Sequence, residues 1–353
     1  MDDSRRAFLR TAAFGVLGAG FSACSPSEIG QPLRIMTVRG PLSADKMGMT
    51  LPHEHVVVDF LGTGPSPSER YDRESAFQNI LPHLQRLKAA GCATLVESTP
   101  AFIGRDAVFL RRLSEASGLN ILTNTGFYGA AEDKYVPPFA YDENHEQLAQ
   151  RWLAEWANGI DGTGIRPGFI KTGVDRGPLS EIDAKLVRAA ALAHRQSGLV
   201  VAIHTGDAVA AREELRILQE EDVAPEAFIW IHAQNAESAD QVELAGKGVW
   251  VSLDGINDGE LDRYRDWIVT LWRKNLLGRV LISHDDGWSI AGSDGSDGTG
   301  RFSRLGSDAA LPFDTIFSRF LPMLRKAGMG PEEIRRLTVE NPREAFAIWV
   351  RPL

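Results

Sequence analysis

Short apolar runs and longer amphipathic segments alternate along most of the chain. Runs rich in β-branched residues are typical of buried strands, and they predict strands at residues 50–58, 91–98, 119–126, 166–173, 199–205, 227–232, 247–254 and 278–285. Segments with apolar residues at three- and four-residue spacing predict helices at residues 73–89, 106–117, 143–157, 181–196, 208–221, 235–246 and 258–275. Eight strands alternating with helices predict an α/β fold, a single (β/α)8 TIM barrel rather than two domains.

The N-terminal residues have a different pattern. "SRRAFLR", at residues 4–10, places twin arginines before an apolar run of small residues, which predicts a twin-arginine (Tat) signal peptide over residues 1–23 and export to the periplasm by the Tat machinery. "FSAC", ending at Cys24, resembles a lipoprotein processing site, so lipidation of Cys24 and a membrane anchor stand beside plain cleavage near Ala23. Residues 24–46 are interpreted as a tether and entry segment, and residues 47–346 as the barrel.

Composition mainly excludes classes of partner. The chain has 353 residues, 43% of them hydrophobic and 24% charged, as in an ordinary soluble domain. Its net charge of −9 argues against a nucleic-acid partner, because binding to phosphate backbones requires clustered Lys and Arg. Cys92, the second of two cysteines, lies in an apolar strand pattern and is expected to be buried, so no disulfide framework is expected.

The eight histidines fall into two groups. Three lie in helical patterns among polar neighbours and are predicted on the solvated surface: His83, His145 and His194. The other five lie at or near the ends of predicted strands: His53, His55, His204, His232 and His284. In a β/α barrel the C-terminal ends of the strands carry the active site. The second group therefore points to a functional site.

"HEH", at residues 53–55, places two imidazoles on one face of the first strand and Glu54 on the other. Two imidazoles pointing into a barrel mouth form half of a site for zinc or a similar divalent ion. Packed core histidines are the alternative. Single histidines at the ends of two further strands favour the metal site.

"SHDD", at residues 283–286, ends the eighth predicted strand. Strand alternation allows either His284 or Asp285 to face inward, but not both. An inward Asp285 would supply a hard anionic ligand and could accept a proton from water at the metal. Helix capping by Asp285 or Asp286 is the alternative.

Lys171 lies in the apolar fourth strand "GFIKTGV". An unpaired ammonium there would be unfavourable, so this lysine must lose its proton or find a partner. Two divalent ions with four imidazoles need a bridging anion. A neutral amine that reacts with carbon dioxide gives a carbamate, which can bridge two ions. Lys171 is therefore predicted to be N6-carboxylysine, because an ammonium would leave the site with excess positive charge.

These motifs resemble the phosphotriesterase family of the amidohydrolase superfamily, of the phosphotriesterase-like lactonase or esterase type. The resemblance runs from about Met47 to Phe346 and includes "TLPHEH", "GRD", "TGFY", "IKTG", "SHD" and "ENPREAF". It implies a hydrolase with two divalent ions, zinc above all. The more buried ion would be held by His53, His55 and Asp285 and the more exposed ion by His204 and His232, with carboxylated Lys171 and a hydroxide bridging the two ions. It further implies that the hydroxide attacks an ester, lactone or phosphoester centre while Asp285 accepts its proton.

The sequence departs from the organophosphate-degrading members at a proton relay. Those members carry a His after the strand-seven Asp and an acidic residue three places after the strand-six His. Here Gly255 follows Asp254, and Asn235 lies three places after His232. The departure favours ester or lactone hydrolysis, with amide hydrolysis left open, over phosphotriester hydrolysis.

The substrate pocket is predicted from loop residues. Tyr128, in "TGFY", and Trp288, after Asp285, are pocket candidates, with loop packing as the alternative. Glu97 would face inward if Val96 faces outward, with no role assigned. The resemblance also leaves a homodimer open.

Two other functions remain as alternatives to the hydrolase. One is a metal-dependent nuclease-type barrel, although those proteins use a glutamate at the position of Lys171. The other is a non-catalytic periplasmic barrel that binds a metal or ligand. The presence of all six candidate ligands favours the hydrolase.

Overall fold

The computed structural model describes residues 33–61, 71–293, 300–305 and 311–353. The predicted signal peptide, Cys24 and residues 25–32 of the predicted tether lie outside these residues. Within them, the helices are too short or too polar to span a membrane.

Most strands fall where the apolar runs predict them, although each is shorter than its run. The described strands are β1 (Arg34–Thr37), β2 (Gly40–Ser43), β3 (Thr50–Glu54), β4 (Val58–Asp59), β5 (Thr94–Glu97), β6 (Asn120–Leu122), β7 (Asn124–Thr125), β8 (Phe169–Val174), β9 (Val201–Thr205), β10 (Phe228–Ile231), β11 (Trp250–Leu253), β12 (Val280–Ile282), β13 (Trp288–Ser293) and β14 (Gly300–Arg304).

The α-helices alternate with these strands. They are α1 (Arg73–Ala89), α2 (Ala107–Ser117), α3 (Phe139–Asp142), α4 (His145–Asn158), α5 (Glu181–Ser197), α6 (Ala208–Glu220), α7 (Ser238–Gly246), α8 (Leu261–Arg273), α9 (Leu321–Lys326), α10 (Pro331–Arg335) and α11 (Asn341–Phe346). Short 3-10 segments lie at Ala44–Lys46, Ile160–Gly162, Pro225–Ala227, Ala233–Asn235 and Leu277–Arg279, and π-helical turns at Ile316–Phe320 and Arg336–Glu340.

Capping residues explain several helix boundaries. Asp72 accepts hydrogen bonds from two backbone N–H groups in the first turn of α1, and Asp106, Ser180 and Asp207 cap α2, α5 and α6 in the same way. Helices α2 and α5 end at Gly118 and Gly198, each in the left-handed conformation that a non-glycine residue adopts only with strain.

The strands pair in parallel and in chain order. β7, β8, β9, β10, β11 and β12 form a six-stranded sheet, and β3, β5 and β6 form a three-stranded one. β6 and β7 are separated only by Thr123. At the other junction the Asp285 N–H donates to the His53 carbonyl at 3.3 Å, and the His53 N–H donates to Ser283 Oγ at 3.1 Å. The α/β class predicted from the sequence is confirmed.

Two antiparallel hairpins extend this arrangement. β1 pairs with β2 near the N-terminal side of the described chain. β13 pairs with β14 and also lies parallel to β4, the short strand that follows the "HEH" motif. The second hairpin therefore lies beside the segments that carry the candidate metal ligands.

The strands bury apolar residues on both faces, as parallel strands do. One cluster fills the space enclosed by the strands and includes Val96, Leu122, Phe169, Ile229, Ile231, Trp250 and Leu281. A larger cluster lies between the strands and the helices. Lys171 is two residues beyond Phe169, so it shares the inner face and lies one layer above the apolar interior.

His194 corrects one prediction made from the helical pattern. It was expected on the surface, but the structure buries it fully in α5. Its Nδ1 lies 2.8 Å from the Leu199 carbonyl oxygen, and its Nε2 accepts a hydrogen bond from the Arg351 N–H at 3.0 Å. The C-terminal tail packs against α5 at this position, a contact that helical periodicity does not reveal.

Candidate metal centre

The six predicted ligands converge on one cavity at the C-terminal ends of the strands. Three lie within strands β3, β8 and β9, two follow strands β3 and β10 directly, and Asp285 lies three residues after β12. They line a cavity of about 280 Å³ and are His53, His55, Lys171, His204, His232 and Asp285. Tyr128 lines the same cavity, as expected for a pocket residue.

Asp285 lies between the imidazoles. Its Oδ1 is 3.0 Å from His53 Nε2 and 3.1 Å from His55 Nε2, and these three side chains form a cluster compact enough to hold a metal ion. Its Oδ2 points the other way, 4.0 Å from His232 Nε2. One carboxylate therefore faces both halves of the site.

The second half of the site contains His204 and His232. Their rings meet edge to face with centroids 4.4 Å apart. Ile229 and Ile231 face the interior, so simple alternation would turn His232 outward. His232 instead has a left-handed backbone, with φ of 62°, and this turn directs its side chain into the cavity.

Lys171 is almost fully buried beside both halves. Its Nζ donates to the backbone oxygen of Thr172 at 3.0 Å and lies 5.4 Å from the ring centre of Tyr128. Burial lowers the pKa of Lys171 to about 8, although the negative charge of Asp285 opposes the decrease. The amine is therefore more easily deprotonated than that of an exposed lysine.

The charge states match those that metal ligands need. Burial lowers the pKa of His53 and moves that of His204 well below its usual value, so both favour the neutral imidazole. Burial acts to raise the pKa of Asp285, but the neighbouring His53 moves it well below the ordinary value. These directions favour a neutral imidazole at His53 and His204 and an ionised carboxylate at Asp285.

Hydrogen bonds at Nδ1, the ring nitrogen that faces away from the cavity, orient two of the histidines. His55 Nδ1 lies 2.8 Å from Thr99 Oγ1, and His232 Nδ1 lies 2.7 Å from Asp254 Oδ1. Burial acts to lower the pKa of His232, but the charge of Asp254, its hydrogen bond and the charge of Asp285 together raise it. Such outer contacts fix the tautomer and leave Nε2 directed at a metal. The residues present therefore fit divalent ions.

Trp288 is not among the described residues that line the cavity. Its indole is buried and packs edge to face against His83 and Phe313, with ring centroids 5.4 Å and 5.8 Å apart. Trp288 therefore packs against neighbouring side chains, which is the loop-packing alternative that the sequence left open. His83 is accordingly half-buried rather than fully solvated.

Strand alternation predicted the direction of the Glu54 side chain, but it did not settle that of Glu97. Glu54 faces away from the cavity as predicted, and the His284 side chain follows it, with Nδ1 2.7 Å from Glu54 Oε1. Glu97 was expected inward only if Val96 faced outward, but Val96 packs in the interior. Glu97 is buried on the outer side, where it accepts a hydrogen bond from the Val56 N–H at 3.2 Å. Burial raises its pKa to about 7.

The other residues of the cavity wall that the structure describes are uncharged. Among the described lining residues, those other than the six predicted ligands are Val58, Phe60, Ser98, Thr99, Pro100, Ile103, Tyr128 and Leu305. This wall is mainly apolar, so it favours a neutral, partly apolar substrate group over an anionic one.

The space next to Asp254 that a relay histidine would need is occupied by other side chains. A Cβ atom on Gly255 would lie 2.5 Å from the Tyr264 hydroxyl and 3.1 Å from Gln234 Nε2. The Gln234 amide instead donates to Asp254 Oδ1 at 3.0 Å. The relay histidine is absent, as the sequence predicted, and Tyr264 and Gln234 fill the space beside Gly255 instead.

Comparison with known proteins agrees with this geometry. The sequence profile described as the phosphotriesterase family matches residues 33–346. The chain belongs to the phosphotriesterase family. The phosphotriesterase homology protein of Escherichia coli strain K12 is 28% identical over 312 residues, covering 86% of this chain and 100% of the relative. The aryldialkylphosphatase of Saccharolobus solfataricus is 25% identical over 312 residues, covering 87% and 97%.

Other members of the phosphotriesterase family differ in the activity their names state. The N-acetyltaurine hydrolase of Tetraodon nigroviridis is 24% identical over 354 residues, covering 88% of this chain and 97% of the relative. A solved structure from work on organophosphate hydrolysis engineered from a weak promiscuous lactonase template superposes with a TM-score of 0.76 at 29% identity, covering 89% of this chain and 100% of the other. Hydrolase activity is common to these names, and the substrate is not.

Proposed function

We propose that this chain is a binuclear metal-dependent hydrolase built on a (β/α)8 barrel, acting on neutral esters or lactones. The observation that carries the proposal is the convergence of six ligand-type side chains on one cavity, with Asp285 between two pairs of imidazoles. Membership of the phosphotriesterase family supports the same reaction class.

The ligands divide naturally between two divalent ions, for which zinc is the best candidate. His53, His55 and Asp285 would hold the more buried ion, and His204 and His232 the second. Bound ions would supply Lewis acidity, polarising the substrate oxygen and lowering the pKa of a water molecule. Neutral imidazoles and a carboxylate are the ligand types that zinc prefers.

Lys171 would join the two halves as a carbamate. The neutral Nζ attacks carbon dioxide, a new N–C bond forms, and one proton leaves to solvent, so the side chain changes from a potential cation to an anion. Supporting features are the burial of Lys171 and the lowering of its pKa to about 8. Its position beside both imidazole pairs suits a bridging ligand.

Asp285 would act as the proton acceptor in the reaction. It is ionised, lies at the centre of the site, and keeps its Oδ2 free of the His53 and His55 contacts. Tyr128 and the apolar wall would bind the substrate next to it and limit access of bulk water.

Two features of the site support an ester or lactone as the substrate: the cavity wall and the packing beside Gly255. Among the described residues of the wall, none carries a positive charge that would pair with the sulfonate of N-acetyltaurine. The Tyr264 hydroxyl and the Gln234 amide occupy the space beside Gly255, where the organophosphate-degrading members carry the relay histidine. Both observations favour a neutral acyl substrate.

The test is a hydrolysis screen of zinc-loaded protein against δ-lactones of several chain lengths, aryl esters, N-acetyltaurine and a phosphotriester. We expect kcat/KM for the best lactone or ester to exceed that for the phosphotriester and N-acetyltaurine by about 100-fold or more. A metal-free sample is the control. Faster turnover of the phosphotriester or N-acetyltaurine would contradict the substrate class, and no metal-dependent turnover would contradict the function.

We further propose export to the periplasm by the Tat route, on the basis of Arg5, Arg6 and the apolar run that follows them. Replacing both arginines with lysine is expected to abolish export of the full chain. Labelling of Cys24 with a radioactive fatty acid distinguishes a lipid-anchored form from a free one. Unchanged export of the lysine variant would contradict the Tat route.

A further inference from the structure

Glu54 is a fully buried carboxylate that the proposed reaction does not use. Its Oε1 accepts hydrogen bonds from Ser283 Oγ at 2.7 Å and from the His284 N–H at 2.9 Å, and it lies 2.7 Å from His284 Nδ1. Its Oε2 accepts a hydrogen bond from the Asp286 N–H at 2.9 Å. Four donors from one turn therefore converge on a single side chain.

This turn contains Asp285, whose backbone is left-handed with φ of 58°. Such a conformation is uncommon for a residue other than glycine and persists only where the surroundings hold it. Glu54 accepts from the backbone N–H groups of residues 284 and 286, on both sides of Asp285. The carboxylate thus fixes the 285–286 peptide unit, which adjoins Asp285 directly, and the 283–284 unit, which lies one residue before it.

Further contacts join the same turn to the "HEH" segment. The Asp285 N–H donates to the His53 carbonyl at 3.3 Å, and the His55 N–H donates to the Asp286 carbonyl at 2.8 Å. A Cβ atom on Gly287 would lie 1.9 Å from the His55 oxygen. The ligand segment 53–55 and the turn 284–287 are in close contact, with Glu54 at the centre of the junction.

A carboxylate suits this position better than its amide. An ionised Glu accepts at both oxygens and has no hydrogen to donate, whereas Gln carries an NH₂ group. In Glu54→Gln, one end of the amide would face either the Asp286 N–H or the donors of Ser283 and His284. A buried donor would then oppose another donor.

We propose that Glu54 is a positioning residue that holds Asp285 in its left-handed conformation, so that Oδ1 faces His53 and His55 while Oδ2 faces the second half of the site. The proposal rests on the proposed function in one respect, the role of Asp285 as ligand and proton acceptor. Glu54 itself touches neither the cavity nor the substrate.

The first test compares Glu54→Gln with wild type by two independent measurements. Zinc affinity is measured on the metal-free protein by competition with a chromophoric chelator, and we expect the tighter site to weaken by about 10- to 100-fold, as for other residues that orient ligands. Turnover of the best substrate from the screen should show a lower kcat with KM within about twofold. Glu214→Gln is the matched control, because Glu214 is equally buried but bonds to Thr205 on the helix side. The control should keep wild-type zinc affinity.

The second test is a double-mutant cycle with Asp285→Asn. If Glu54 acts through Asp285, adding Glu54→Gln to Asp285→Asn should lower kcat less than about twofold further. Multiplicative losses would mean that Glu54 acts elsewhere and would overturn the proposal. Unchanged zinc affinity and kcat in Glu54→Gln would also overturn it.

Two outcomes of these experiments would bear on the proposed function and on the role of Glu54 in different ways. If wild type hydrolyses nothing in the screen, the proposed function fails, while the zinc-affinity comparison still decides the role of Glu54. If Glu54→Gln does not fold, Ser283→Ala removes one of the four donors, and we expect its zinc affinity to decrease by about threefold. Wild-type zinc affinity in a folded Ser283→Ala would then overturn the proposal.

Discussion

Substituting Lys171 separates the effect of its burial from the effect of its chemistry. Lys171→Met keeps an unbranched side chain of similar length but cannot form a carbamate, whereas Lys171→Ala removes the side chain and leaves space. Both variants should lose the bridging ligand. Only the alanine variant has room for a small carboxylic acid in its place.

The structure gives the size of both effects. With a pKa of about 8, about a quarter of the Lys171 amine is neutral at pH 7.5, compared with about 0.1% for a lysine at 10.5. The reactive neutral form is therefore enriched roughly 200-fold. The same difference corresponds to about 3 kcal/mol against the buried ammonium. Because the folded-state pKa lies below the unfolded one, this penalty is fully present below pH 8 and disappears as the pH rises toward 10.5.

Three assays follow for Lys171. In urea denaturation of metal-free protein at pH 6, Lys171→Met should be more stable than wild type, by at most about 3 kcal/mol. Zinc-loaded Lys171→Met and Lys171→Ala should each bind fewer than two equivalents of metal and lose most turnover. Acetate or propionate should partly restore metal content and turnover in Lys171→Ala alone. Lys247→Met, at an exposed lysine, is the control and should behave as wild type.

One result would refute the carbamate. If Lys171→Met binds two equivalents of zinc and turns over substrate at the wild-type rate, Lys171 is not a bridging ligand. Equal rescue of both variants by carboxylic acids would also contradict the reasoning, because methionine fills the space that the acid must occupy.

Three further predictions concern other residues. Asp285→Asn should retain some zinc but lower kcat by about 100-fold or more, because the amide cannot accept the proton; unchanged kcat would remove its role as base. Thr99→Val should weaken zinc binding by about 10-fold in chelator competition, because His55 Nδ1 loses its partner, and wild-type affinity would show that the tautomer does not depend on Thr99. Burial raises the pKa of Asp183 to about 7, so wild type loses stability as the pH rises from about 4 to 7. Asp183→Asn should therefore be more stable than wild type in urea at pH 8, by at most about 4 kcal/mol, and almost equally stable at pH 4; a pH-independent difference would contradict this.

The sequence predicted most of the site because strand alternation is regular in the middle strands. Phe169 and Lys171 share one face of β8, and Ala202 and His204 share one face of β9. Composition patterns also located the helices closely, with α1 beginning and ending at the predicted residues. These features depend on local periodicity, which a single sequence contains.

Alternation alone does not explain the ligands that follow strands. His232 and Asp285 reach the cavity through left-handed backbone conformations, and the register of β3 against β5 shifts between Leu51 and Glu54, the interval that contains His53. Residue type does not signal these turns. The sequence pointed to both residues because histidine and aspartate at strand ends are typical ligands, and their backbone geometry was not foreseen.

The supporting residues were missed because long-range packing decides them. Thr99, Glu54 and Glu97 lie behind the ligands, where each forms a hydrogen bond with a residue from another segment of the chain. Trp288 and His194 were placed by their local pattern, while their neighbours come from distant helices and the C-terminal tail. The spacing of residues along the sequence does not reveal any of these contacts.

The most direct test of the central claim is a crystal structure of the zinc-loaded protein with anomalous scattering data. We predict two zinc peaks, one beside His53, His55 and Asp285 and one beside His204 and His232, with a carboxylated Lys171 between them. A single peak, with the Lys171 side chain unmodified and still bonded to the Thr172 carbonyl as in the present structure, would contradict it.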